Sequence, residues 1–162
     1  MSLRRLTSLT AAAALFSGMG AIGFANAEET APPEADATPQ ITMGNGEENW
    51  IITEGATRAG ATFTFPEVQI AASGWLVMHP FKDGKPNGRV YVGHTYVAAG
   101  TNTNVDIAVD EEPSTGDMFI VMLHSDVDED KEFDFVFVNE REVEDKAVFE
   151  GTQMIGHPYA TP

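Results

Sequence analysis

Asp126, Asp128 and Asp130 stand at alternate positions in the stretch "HSDVDEDKEFDF" at 124–135, and Asp134 follows four residues on. Hard Ca2+ collects roughly six to eight oxygen ligands, and alternating carboxylates on a curled backbone can converge on it. With Asp126 as the first position of a calcium loop, Asp128 and Asp130 fall at the third and fifth and Asp134 at the ninth. The helix-loop-helix version is excluded. Lys131 occupies the sixth position, where glycine makes the sharp turn, and Phe137 the twelfth, where a bidentate glutamate is needed. Two readings stay open. The first is a solvated acidic hairpin tip with Lys131 offsetting part of its charge. The second is a β-hairpin Ca2+ site built from Asp126, Asp128, Asp130 and Asp134, with Glu132 or a backbone carbonyl completing the shell.

The histidines are the other metal chemistry in the chain. His79, His94 and His124 each lie in or at the end of a predicted strand, and Met78 and Met122 stand close to two of them. A blue copper centre is excluded because it requires a cysteine thiolate and the chain has none. A colourless Cu or Zn site drawn from His79, His94 and His124 with Met78 or Met122 is the competing metal reading. Its bland counterpart is a set of scattered strand-end histidines, since no ligand spacing links them. His79 and His94 flank a turn near 83–88 at unequal distances, which keeps them out of direct register. No GxSxG elbow, HExxH helix, phosphate loop or cysteine nucleophile is present, so the sequence offers no catalytic motif.

The elements that carry these residues follow an export leader. Arg4 and Arg5 precede a short apolar run at 6–16, and Ala25-Asn26-Ala27 supplies the small residues of a cleavage site. Ser17, Gly18, Gly20 and Gly23 interrupt the run before it reaches the ~20 residues of a membrane span. Cleavage after Ala27 is therefore expected, by the general secretory route. Residues 28–40, with three prolines and four acidic residues, read as a disordered linker. Residues 41–162 remain for one domain, with no second apolar run and hence no membrane span in the mature chain. The expected location is the periplasm or the outside of the cell, and without cysteine the domain must hold together by packing or by a metal.

Two of the nine basic residues belong to the leader, which leaves seven against 25 acidic ones. Such a charge repels phosphates and anionic lipid head groups, so nucleic acid is excluded as a partner. Cation binding, a cationic partner and a saline habitat are the remaining explanations.

Past residue 40 the pattern is that of short strands. Apolar and β-branched runs at 49–53, 62–68, 74–79, 89–97, 104–109, 118–124, 133–138 and 147–152 alternate with turn-forming stretches such as "KDGKPNG" and "EEPSTGD". About eight strands at this spacing predict an all-β domain, a single antiparallel β-sandwich. Alternation points Val105, Ile107 and Val109 inward, sets Val90, Val92, His94 and Tyr96 on one face, and makes Phe133, Phe135 and Phe137 a row that suits a packed core. Pro66 removes a ladder donor and marks an edge strand or a bulge.

With the strands placed, residues 41–152 resemble a family of exported β-sandwich domains that is frequent in haloarchaea and present in bacteria. The resemblance rests on "GWLVMH", on "YVAAGTNTNVDI" and above all on "MLHSDVDEDKEFDF". It implies a compact exported sandwich with no established activity. The acidic hairpin of many members carries glycine where this chain has Glu129 and Lys131, and His79 and His124 match the family's strand ends. The function expected first is a non-catalytic exported binding or structural module, with Ca2+ at the acidic hairpin as a stability clip. A Cu/Zn-binding protein and an accessory subunit of a membrane-associated complex are the alternatives.

Overall fold

The computed structural model describes residues 39–135 and 144–162, and every regular element among them is a strand. In chain order these are β1 (Thr42–Gly44), β2 (Trp50–Ile52), β3 (Thr57–Ala59), β4 (Thr62–Ile70), β5 (Gly74–Lys82), β6 (Lys85–Pro86), β7 (Gly93–Val97), β8 (Gly100–Ala108), β9 (Met118–Ser125), β10 (Phe149–Glu150) and β11 (Gln153–Ala160). The leader, the linker up to residue 38 and the 136–138 part of the expected strand at 133–138 lie outside the described residues. Among the described residues no helix is long and apolar enough to cross a membrane.

The strands form two sheets. The larger runs β1-β11-β9-β5-β6, with β7 also on β5 and β10 on β11, while the smaller is built on β4 with β2, β3 and β8 as its partners. The all-β sandwich expected from the alternation is therefore present, in eleven strands where the apolar runs suggested about eight. One pair departs from the antiparallel expectation: β1 runs parallel to β11, with Thr42 opposite Gln153. Strand β11 itself escaped the pattern because Gly156 and Pro158 break its apolar alternation. The turn after β5 is the two-residue Asp83-Gly84 link, both residues at positive φ, which matches the twist of the strands it joins.

The core lies between the sheets. Ile51, Phe63, Phe65, Val68, Ile70 and Ile107 on the smaller sheet meet Leu76, Met78, Val121, Leu123 and Ile155 on the larger. Each such side chain stabilises the fold by roughly 1.5–3 kcal/mol through the water-exposed area it removes. Val105, Ile107 and Val109 face inward as the alternation required. Pro66 sits neither at an edge nor at an inserted residue. β4 is the central strand of its sheet, and its pairing with β8 keeps the same phase on both sides, Phe65↔Val105 and Glu67↔Thr103, with a gap at Pro66 itself. What changes at Pro66 is the face: Phe63 and Phe65 are buried before it, Val68 and Ile70 after it. Asn104, its counterpart on β8, takes a left-handed φ of 51°, so both strands turn over together and keep pairing.

The larger sheet is buried on its outer face as well. Strand β5 is buried from Gly74 through His79, with Leu76 and Met78 on the inner side and Trp75, Val77 and His79 on the outer. That double burial is why "GWLVMH" is a continuous apolar run. The expected strand at 89–97 begins only at Gly93; Val90 is exposed, and His94 and Tyr96 stand on this outer face. Phe133 and Phe135 do not join a strand. Their rings stack on one another at 5.6 Å and lie over the outer face, Phe133 against Trp75, His94 and His124, and Phe135 against His79 and His124. Phe133 and Phe135, the described part of the aromatic row, are packed as its period suggested, yet in a second apolar layer outside the sandwich core.

Gly74 lets β5 approach β9 closely at their shared end. It pairs with Ser125, and a Cβ there would land on the carbonyl oxygen of His124. Gly74→Ala is expected to cost about 1–3 kcal/mol, because backbone rather than a flexible side chain must move. Urea unfolding of the variant beside wild type measures it, and an unchanged midpoint would contradict this close approach.

Candidate metal centres

The acidic loop begins where β9 ends. Asp145, fully buried, organises it from below: one carboxylate oxygen accepts the N–H of Val127 at 3.3 Å and the other accepts that of Asp134 at 2.9 Å. Within the loop Asp128 accepts the N–H of Asp130 at 3.4 Å and Asp130 that of Glu132 at 2.7 Å. Glu129 and Lys131 have left-handed φ values of 62° and 64°. Non-glycine residues there cost roughly 1–2 kcal/mol each. This alternation curls the backbone so that Asp126, Asp128 and Asp130 each bring one carboxylate oxygen within 4.8 Å of the others.

The charge of this curl is poorly partnered. Asp126 is 8% exposed, and its Oδ1 has no hydrogen-bond partner. The Lys131 ammonium does not offset the loop's charge by an ion pair, as a solvated hairpin would have it; it lies over the ring of Tyr96, 5.5 Å from its centre. The Arg58–Glu112 ion pair has neither partner in this loop. Burial pushes the Asp145 carboxyl up from its ordinary range, its two backbone N–H bonds oppose that, and the charges of Asp126 and Asp128 push it further up. Asp134, the expected fourth ligand, is tied by its backbone to Asp145 and is not among the converging carboxylates.

The histidines divide in two. His79 and His124 are 1% and 2% exposed on the outer face of the larger sheet. His79 lies opposite Ile120 and His124 opposite Trp75, so their rings lean toward each other over the Val77–Met122 pair and bring Nε2 to within 3.3 Å of Nε2. Nδ1 of His79 meets the carbonyl oxygen of Val90 at 2.8 Å, and Nδ1 of His124 that of Asp145 at 2.9 Å. A carbonyl only accepts, so both Nδ1 atoms carry hydrogen, and the neutral rings turn lone pairs toward one another. Burial lowers the pKa of His79. It carries His124 down to about 4, with the Asp145 carbonyl opposing and His79 adding to the fall.

His94 does not join them. It is exposed, stacks on Phe133 at 4.9 Å and packs edge-on against Trp75 at 5.4 Å. Of the two methionines named from the sequence, Met78 points into the sandwich core, whereas Met122 lines a cavity of about 390 Å³ beside His79 and His124. Met43 and Met154 line the same cavity. Neither drew notice in the sequence, since β1 and β11 meet there only through the parallel pairing that the alternation did not reveal. Asp145 was equally invisible, although it serves both centres: its carboxylate shapes the acidic loop and its carbonyl orients His124.

Comparison with known proteins agrees with the resemblance seen in the motifs. The model of the family described as "Domain of unknown function (DUF7282)" matches residues 51–157, and the chain belongs to that family. The matched span holds His79, His124, Asp145 and the whole acidic loop. No curated protein and no solved structure matches the chain.

Proposed function

We propose that this protein is a non-catalytic binding or structural module that works in the periplasm or outside the cell, and that its acidic loop takes up Ca2+ as a stabilising clip. The observation that carries the metal part is the convergence of Asp126, Asp128 and Asp130, one oxygen each within 4.8 Å, around a buried Asp126 oxygen with no partner of its own. Clustered carboxylates repel one another, and a divalent ion bound by oxygen turns that repulsion into folding free energy. Support for export comes from the leader pattern of Arg4, Arg5, the apolar run and Ala25-Asn26-Ala27.

Titration calorimetry on wild type and on Asp126→Asn tests the ligand. One Ca2+ per chain, bound by wild type in preference to Mg2+ and not by the variant, is the expected result. Equal heats from both proteins would retire the site.

A further inference from the structure

A second metal chemistry is built into the outer face, independent of the acidic loop. We propose that His79 and His124, with the methionines of their shared cavity, bind a soft monovalent cation, Cu(I).

The argument starts from the hydrogens. Both Nδ1 atoms are committed as donors to backbone carbonyls, so neither ring has a hydrogen to offer at Nε2 while it stays neutral. Two lone pairs held 3.3 Å apart in a buried apolar site repel unless a proton or a metal ion lies between them. A proton would leave an imidazolium in a cavity lined, among the described residues, by no carboxylate. A metal ion meets the same lack of counter-charge but gains two imidazole bonds and thioether donors. Lone pairs pinned by Nδ1–H···O=C bonds are the arrangement by which proteins orient histidine ligands.

The donor set selects the ion. Met122, Met154 and Met43 contribute sulfur, and thioether with imidazole suits Cu(I), whereas Ca2+ and Mg2+ require oxygen. Zn2+ and Cu2+ bring a second positive charge into a site whose described lining is neutral, which burial penalises. Size agrees as well. Two metal–nitrogen bonds near 2 Å in line span about 4 Å, so the rings need to part by less than ~1 Å. Access runs past Met43, which is 38% exposed, and past the exposed Pro86 and Gly88.

The test uses the full chain without oxygen, in excess Ca2+ so that the acidic loop does not change state. Cu(I) is supplied as its complex with a coloured competing chelator. Wild type is expected to withdraw one Cu(I) per chain. His79→Gln and His124→Gln should each lose affinity by at least ~10-fold, the size of loss that follows even from disturbing a ligand's outer shell. His94→Gln and Asp126→Asn should bind as wild type does. Because the histidine variants can fail to fold, Ag(I) is also titrated into the wild-type chain and followed by NMR. The Nε2 resonances of His79 and His124 and the methyl resonances of Met122 and Met154 are expected to move together at one equivalent. Cu(I) left with the chelator, or Ag(I) shifts that leave His79 and His124 unmoved, would overturn the assignment.

Discussion

Saturating Ca2+ is expected to raise the melting temperature of the chain at fixed high ionic strength, and Asp126→Asn to remove the rise. A ligand that binds only the folded state stabilises it by about 2.7 kcal/mol at a hundredfold excess over Kd and about 4.1 kcal/mol at a thousandfold excess. For a domain of this size each kcal/mol moves the melting temperature by roughly 2–8 °C. High ionic strength is part of the design, because a chain with 25 acidic residues gains stability from any salt that screens its self-repulsion. Screening does not depend on one buried oxygen, whereas coordination does. Asp126 is the discriminating position: it is the buried member of the convergent trio, and its Oδ1 has no other partner. Mg2+ should give a much smaller shift, since it needs near-ideal octahedral geometry and gives up water reluctantly. Equal shifts from Ca2+ and Mg2+, or a rise that survives in Asp126→Asn, would assign the effect to screening.

Acidification from pH 7.5 to 4.5 is expected to weaken wild type far more than His124→Gln. His124 is buried and neutral with its pKa lowered from 6.5 to about 4, so between those values the unfolded chain holds a proton that the folded one refuses. Stability from this group is fully present above pH 6.5 and drains away as the pH falls toward 4. The shift corresponds to about 3 kcal/mol over the whole window. His79, lowered by burial in the same cavity, pulls in the same direction. Asp145 pulls in the opposite one: its raised pKa makes the folded state the better proton acceptor as pH falls through the upper carboxylate range. Urea unfolding at both pH values, on wild type, His124→Gln and an Asp145→Asn background, separates the two. A pH dependence identical in wild type and His124→Gln would mean that His124 is not held neutral by burial.

Much of the framework was legible in the chain. Period-two alternation in 104–109 assigned Val105, Ile107 and Val109 to the core face, because strand geometry alone sets that period. The double burial of β5 was written as an uninterrupted apolar run, and the chemistry of Asp126, Asp128 and Asp130 as a spacing. Strand β11 was not legible, because Gly156 and Pro158 interrupt its pattern and its place depends on partners more than a hundred residues away in β1. The Phe133–Phe135 row shows the limit of periodicity. Its spacing predicts packing, yet whether the rings fill the sandwich or cover its outer face is decided by where the chain leaves β9.

The metal chemistry divides along the same line. A loop of alternating aspartates is local, so its types and spacing alone named the candidate ligands, and the left-handed turns at Glu129 and Lys131 only converge them. The histidine and methionine centre is assembled from β1, β5, β9 and β11, elements that approach only through sheet pairing. The family resemblance set His79 and His124 apart from His94 as strand-end residues, but spacing did not bring the two rings together, and nothing in the sequence separates Met122 from Met78. Which strand face each residue occupies, and which strands lie side by side, is a property of long-range register, and only the folded chain supplies it.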